Sequence, residues 1–338
     1  MDEQTNRNLG TSPPSSGSEQ WTKPKPTQKG VSGTETLARQ VETAIEESNR
    51  SRRLSLLMPR TDFRLLPRSE RFWVIGGRPG HFKTQLLWNM ALNLALQKRR
   101  VLFASLEMTP GEMAMMALAR FSRIPLDRID RANAPEADRV AFSAEEEAAF
   151  EDARTKYQSL DFSLRVHGGD SFGRSIADIQ ASAMRFRYDA VMVDHLGMIG
   201  RDSGGSELDA LSRSIHWLRG LARGEVAQGY RPFVIATSQL NRDIDKDSGD
   251  EPRAPRLSDF RGSARIEHDS DMAMVLRKQA HDGEGPATLD AFVLKNRKGR
   301  CPMVIQYEAQ GAICHIVERR REDAPPQHWS QREPGEDA

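Results

Sequence analysis

The chain has 338 residues, 38% hydrophobic and 29% charged, with 49 Lys and Arg against 48 Asp and Glu. Its length is compatible with about two ordinary domains, the absence of any apolar run near about 18 residues argues against a helical membrane span, and the charge balance argues against a polycation while leaving local basic stripes open. The N-terminus MDEQTNRNLG lacks a basic-then-apolar signal pattern, and two cysteines, Cys301 and Cys314, are too few for a disulfide framework, so they read as small core or strand residues in a reducing cytoplasm.

Residues 1–33 are rich in Ser, Gly, Pro, Thr and Gln and carry too little apolar surface to offset ordering entropy, so a disordered tail is expected. From Thr34 the pattern turns helical. Leu37, Val41 and Ile45 recur on one face and Arg50, Arg52 and Arg53 follow, which predicts a linker-like helix over 34–57. A globular region over 58–318 then alternates short apolar runs with helical stretches. The runs Phe72–Ile75, Val101–Ala104, Ala190–Val193 and Phe233–Ala236 are apolar on both faces, and Thr84–Leu96, Ile176–Phe186 and Leu208–Ala222 lie between them as helices. This order predicts an α/β fold, a mainly parallel central sheet with helices on both faces. Thr288–Leu294 and Met303–Tyr307, joined by a Gly-containing turn, predict a C-terminal β-hairpin. The segment 319–338 reads as a second disordered tail.

The chemistry starts after the first run. Gly76, Gly77, Arg78, Pro79, Gly80, His81, Phe82, Lys83 and Thr84 stand between a strand and a helix, the context of a phosphate-binding loop. Backbone N–H groups of such a loop converge on phosphate oxygens. Lys83 is expected to neutralise the β/γ-phosphates and Thr84 to place its hydroxyl on Mg²⁺, and Gln85, in the first helical turn, is expected to belong to the nucleotide-binding set. Phe82 stands where the strict pattern has Gly, and its Cβ is expected to require a negative φ and a ring turned away from the nucleotide. Two carboxylates end strands where open α/β sheets place their sites. Asp194, after four apolar residues, is expected to hold Mg²⁺, and Glu107, after Val101–Leu106, to act as general base on the attacking water. His195 reads as a local packing or hydrogen-bonding residue, and no His/Cys cluster has zinc spacing.

The motifs together resemble the C-terminal RecA-like motor domain of the DnaB-like replicative helicases, a P-loop NTPase. GGRPGHFKT, VLFASLEMTPGEMAMMALA, AVMVDHLGMI, FVIATSQLNRD, LSDFRGSARIEHDSDMAMVL and VLKNRKGR occur in the family's order over about Arg60–Val317. The resemblance implies ATP and Mg²⁺ at subunit interfaces of a homo-oligomer, expected to be a hexamer, acting on single-stranded DNA in replication with other replication proteins. It implies that Gln239 senses the γ-phosphate, and that Arg297, with Lys295 two residues before it, reaches a neighbour's nucleotide as an arginine finger. Strand alternation puts Lys295 and Arg297 on one side. It also implies that Arg261 and Gly262 touch the DNA backbone, with Arg265 an extra basic residue nearby. Four departures stand out: Phe82 in the phosphate loop is the largest, no segment resembling the family's N-terminal collar precedes the motor, His195 and Gly197 replace Tyr and Gln, and Ala264 replaces Gly. The competing expectations are a non-unwinding ATP- and DNA-binding accessory protein and a RecA- or KaiC-like ATPase.

Overall fold

The computed structural model describes residues 39, 41–42, 45–46, 51–168, 176–198, 206–226, 229–241, 253–279 and 285–319. The chain divides into two units, residues 1–50 and 51–338. In the first, Arg39, Val41, Glu42, Ile45 and Glu46 are helical and exposed. Leu37 and both tails lie outside the described residues. The helix expected to run to residue 57 does not do so, because Ser51–Leu57 is non-helical. Leu54 and Leu56 alternate into the core, Leu54 N–H donates to Pro67 O at 2.9 Å, and Arg53 forms an antiparallel bridge with Arg68. A period of two, followed by Pro59, favours an extended strap over a helix.

Within the second unit, α1 (Pro59–Leu65), β1 (Phe72–Gly77), α2 (Lys83–Leu96), β2 (Val101–Ser105), α3 (Pro110–Ser122), α4 (Leu126–Ala132), α5 (Ala144–Gln158), β3 (Leu164–Gly168), α6 (Ile176–Phe186) and β4 (Ala190–Asp194) come first. They are followed by α7 (Glu207–Arg223), β5 (Phe233–Ser238), α8 (Ser263–Asp269), β6 (Met272–Lys278), β7 (Ala287–Asn296), β8 (Met303–Gln310) and β9 (His315–Glu318). The strands form one sheet in the order β3-β2-β4-β5-β1-β6-β7-β8-β9. Pairings from β3 to β6 are parallel, and those from β6 to β9 are antiparallel. The expected hairpin is β7–β8, with Thr288 opposite Glu308 and Val293 opposite Met303.

Two cores explain why the central strands are apolar throughout. Trp73, Ile75, Val101, Phe103, Met192, Phe233, Ile235, Met272 and Met274 face the side covered by α2 and α3. Their alternate neighbours, including Phe72, Val74, Leu102, Val191, Val193, Val234 and Val275, face α6, α7 and α8. Period-two alternation with both faces covered leaves no polar side. Helix α2 is buried from Leu86 to Ala95, so its two asparagines need partners. Asn89 Nδ2 donates to Cys314 O at 2.9 Å and its Oδ1 accepts from Ile316 N–H at 3.2 Å, while Asn93 Nδ2 donates to Leu56 O at 2.7 Å. These bonds tie the helix behind the phosphate loop to β9 on one side and to the N-terminal strap on the other. Cys314 is buried as expected, whereas Cys301 is exposed in the turn before β8.

Candidate nucleotide site and its coupled surfaces

The loop between β1 and α2 bends through two left-handed residues, Gly80 (φ 78°) and Phe82 (φ 59°). A Cβ at Gly77 would lie 3.1 Å from Leu276 O and 3.2 Å from the Lys83 side chain, so the close approach there requires glycine. Nothing lies within 4 Å of the Cβ position of Gly80, so the space beside the loop there is open. Phe82 contradicts the expected negative φ. As N-cap of α2 it must turn the chain into the helix, and that turn is left-handed, at a cost of about 1–2 kcal/mol for a residue with a Cβ. Its ring is turned into the protein, partly buried on the larger core. The ring lies against the Cβ position of Gly311 at 3.1 Å, and Lys278 Nζ stands 5.9 Å from its centroid. Packing of the ring on the core works against that backbone cost.

Phe82 provides no side-chain cap, so the first N–H groups of α2 are presented to the loop, an arrangement that suits phosphate. Lys83 Nζ donates to Arg78 O at 2.9 Å across the loop, and His81 N–H donates to the same carbonyl at 3.2 Å. Burial lowers the Lys83 pKa, against the pull of Asp194 and Glu107 that favours its charge. His81 Nδ1 lies 3.1 Å from Leu276 O, and burial also lowers its pKa. Gln85 turns its side-chain amide toward Cys314 Sγ, 3.8 Å away, so its side chain faces β9 and not the loop.

Thr84 Oγ1 donates to Asp194 Oδ2 at 2.7 Å, joining the start of α2 to the end of β4. Asp194 Oδ1 accepts from Thr237 Oγ1 at 2.5 Å. Thr84 and Asp194 therefore present adjacent oxygens of the kind Mg²⁺ takes. Thr237 was not singled out from sequence, although strand alternation from Gln239 places it on the same side of β5. Glu107 sits in the turn after β2. Leu106 N–H donates to Asp194 O at 2.6 Å, and Thr109 closes the turn as N-cap of α3 in a capping box with Glu112. His195 Nε2 lies 2.7 Å from Glu107 Oε1 and 3.2 Å from Gln239 Nε2. The structure thus brings Lys83, Thr84, Glu107, Asp194 and Gln239 to one end of the sheet.

Lys295 and Arg297 are at the other end. Arg297 N–H donates to Asp271 O at 2.9 Å, and Asp271 Oδ2 accepts from Phe72 N–H, at the start of β1, at 2.9 Å. The phosphate loop follows the far end of β1, a strand of six residues, about 20 Å long at the usual rise. Lys295 Nζ donates to the carbonyls of Glu267 and Ser270 and Arg297 to that of His268, so both cations cap the C-terminal end of α8. They share one side, as alternation predicts. Within one subunit they do not meet the phosphate loop.

The opposite end of α8 carries the remaining site residues. Arg261 is ion-paired with Glu207 at the start of α7, and its N–H donates to Gln239 O at 3.3 Å. Gly262 is the left-handed N-cap of α8 (φ 71°), where an added Cβ would lie 2.9 Å from Leu211. Arg265 is half-exposed, 3.9 Å from Asp269 across one helical turn. The bend before Arg261 is held by Asp259, which accepts from Arg253 at 2.6 and 2.9 Å and from Arg256 N–H at 2.7 Å. Burial alone raises the Asp259 pKa, but these bonds outweigh it and hold the carboxyl below its ordinary range. Among the described residues no group of three or more His, Cys, Asp or Glu could hold a metal, and no helix is long and apolar enough to cross a membrane.

Comparison with known proteins gives the family and the fold. A probable plasmid replicative DNA helicase of Chlamydia trachomatis is 28% identical over 229 residues, covering 68% of this chain and 46% of that protein. A replicative DNA helicase DnaB of Leifsonia xyli is 28% identical over 241 residues, covering 67% and 47%. The chain thus spans about half the length of these relatives. Among solved structures, an isolated ATPase domain superposes with a TM-score of 0.69 at 19% identity, covering 86% of this chain and all of that one. A DnaB-like replicative helicase described with its interactions with primase gives 0.68 at 18% identity, covering 85% and 71%. These likenesses show the RecA-like ATPase fold. The family described as DnaB-like helicase C terminal domain matches residues 67–312, and the chain belongs to that family.

Proposed function

We propose that this chain is an ATP-driven motor on single-stranded DNA, a replicative helicase that hydrolyses ATP between the subunits of a homo-oligomer, with a hexamer as its working form and the cytoplasm as its compartment. The observation that carries the reading is the 2.7 Å bond between Thr84 and Asp194 beside Lys83, with Glu107 and Gln239 on neighbouring strand ends. In this reading the N–H groups from Gly80 to Thr84 bind the phosphates of the substrate, Lys83 balances their charge, and Thr84 and Asp194 hold Mg²⁺. When bound, Mg²⁺ neutralises phosphate charge and orients it for in-line attack. Glu107 takes the proton of the attacking water. Gln239 contacts the terminal phosphate.

Arg297 is too far from its own loop to serve it, so it acts on a neighbour's substrate, stabilising negative charge on the transferring group. Before it does so it must leave the carbonyl of His268. Arg261, Gly262 and Arg265 grip the DNA backbone, which makes binding sequence-tolerant and salt-dependent. Phe82 does not obstruct this, because its ring is turned into the protein. Other replication proteins, of which primase is the one described with a similar helicase, are the expected partners.

The test is ATP turnover by the purified chain with and without oligo-dT, alongside strand displacement on a forked duplex. The reading expects turnover that oligo-dT stimulates, that Lys83→Ala and Glu107→Gln abolish, and that displaces the strand. Turnover indifferent to Lys83 overturns it. Turnover without displacement moves the chain to a non-unwinding ATP- and DNA-binding accessory role.

A further inference from the structure

One imidazole stands between two strand ends of the nucleotide site. His195, the first residue after β4, has its Nε2 2.7 Å from Glu107 Oε1, beyond β2, and 3.2 Å from the Gln239 amide, beyond β5. Its other ring nitrogen is already committed, because Gly197 N–H donates to Nδ1 at 3.0 Å. A ring nitrogen that accepts a hydrogen bond carries no proton, so the proton of the neutral ring is on Nε2. That proton is donated to the Glu107 carboxylate. The Gln239 atom placed 3.2 Å away is its amide nitrogen, also a donor, so with the proton on Nε2 the amide is assigned a half-turn that puts its carbonyl oxygen there as the second acceptor.

The ring is fixed in place. Its side chain is 8% exposed, and a Cβ at position 197 would lie 3.0 Å from its Cε1 and 3.2 Å from its Nδ1. A side chain at 197 would therefore press the ring out of place by a few tenths of an ångström, and His195 and Gly197 pack as a pair.

We infer that His195 is a positioning residue for hydrolysis, linking the base Glu107 to the phosphate sensor Gln239 through a single Nε2–H, with Gly197 setting its tautomer. This rests on the hydrolytic reading above. The Glu107 side chain is 45% exposed and has several rotamers to lose on ordering. A base held at a fixed angle to the attacking water is faster than one that must find it. When Gln239 turns toward the terminal phosphate, it gives up its share of the proton and the bond to Glu107 becomes undivided. The position of the sensor is thereby felt by the base.

Steady-state ATP turnover of His195→Phe, His195→Gln and Gly197→Ala tests this, with 15N-histidine NMR as a second readout. His195→Phe keeps ring bulk and loses the donor, so kcat falls roughly 10- to 100-fold while KM for ATP stays within about twofold. His195→Gln keeps a donor near the Nε2 position and recovers kcat to within about threefold of wild type. Gly197→Ala displaces the ring and lowers kcat in the same sense. The NMR resonance that His195→Phe removes should report an Nε2–H tautomer and should move in Glu107→Gln. An unchanged kcat in His195→Phe, or a loss confined to KM, overturns the inference. So does an Nδ1–H tautomer, or a resonance indifferent to Glu107→Gln. The tautomer reading needs no turnover, so it separates failure of this inference from failure of the hydrolytic reading.

Discussion

The main-chain carbonyl of Gln239 accepts a hydrogen bond from the N–H of Arg261 at 3.3 Å. Leu240 and Phe260 form an antiparallel bridge at the same point. The residue proposed to sense the terminal phosphate and the residue proposed to grip DNA are therefore joined by backbone, without an intervening flexible side chain. The end of β5 is thereby paired with the loop that starts α8, and the last carbonyls of α8 accept from Lys295 and Arg297. The proposed DNA contact, the proposed phosphate sensor and the two cations proposed to reach a neighbour are thus joined through one backbone pairing and one short helix.

Arg261 is ion-paired with Glu207, so a DNA phosphate must compete with that carboxylate. Arg261→Ala should weaken oligo-dT binding and lower the slope of log affinity against log salt by about one, whatever the base sequence. Glu207→Gln removes the competitor and should tighten binding. Anisotropy of a labelled oligo-dT over a salt series checks both, and an unchanged slope in Arg261→Ala would remove this residue from the DNA surface.

Thr237 supports Asp194 from the side opposite Thr84. Thr237→Val preserves shape and removes the hydroxyl, leaving the buried carboxylate one donor short. The Mg²⁺ concentration for half-maximal turnover should rise roughly tenfold, and the thermal midpoint should fall because a buried carboxylate loses a donor. A magnesium titration at saturating ATP reads it directly.

Phe82 sets a left-handed backbone against a packed ring. Phe82→Gly relieves the backbone and deletes the ring contact with Gly311, so denaturant unfolding should show a net loss of about 1–3 kcal/mol. KM for ATP should remain within about threefold, because the ring is turned away from the loop's open side. A gain in stability would mean that the ring does not compensate the turn.

His315, at the start of β9, is pushed down to about 4 by burial first, then by Arg123 and Arg120. Arg123 Nη1 lies 2.8 Å from its Nδ1. The ordinary value of 6.5 applies in the unfolded chain, so between these two values the unfolded state binds more protons than the folded one. Stability should therefore be complete above pH 6.5 and fall as pH drops toward 4. His315→Gln should flatten that part of the curve in denaturant unfolding at stepped pH.

Much of this arrangement was legible in the sequence because it is written locally. The strand–glycine loop–helix around Lys83, and the apolar runs ending at Glu107 and Asp194, each carry their own signal, and Ile176–Phe186 is helical over the same residues that periodicity indicates. Strand β3 was missed because it lies at the sheet edge, half-buried, with Arg165 and His167 breaking its apolar pattern. Residues 51–57 are non-helical and include the bridge between Arg53 and Arg68, a pairing that no local period encodes. The sign of φ at Phe82 follows from the turn into α2, not from any preference of phenylalanine. His195 reads from sequence as a local packing or hydrogen-bonding residue; it does bond Gly197 locally, but Glu107 and Gln239 come from other strand ends, which no local pattern encodes. Gln239 and Arg297 were reachable only through family resemblance.

The central claim is that a phosphate loop built on Lys83 in one subunit is completed by Arg297 from the next. Mixing Lys83→Ala with Arg297→Ala protein, each inactive alone, and measuring ATP turnover with oligo-dT tests it most directly. Random assembly places an intact loop beside an intact arginine at about one quarter of the interfaces. The account predicts that the equimolar mixture regains turnover up to about that fraction of wild type. A mixture that stays as inactive as its two components would contradict it.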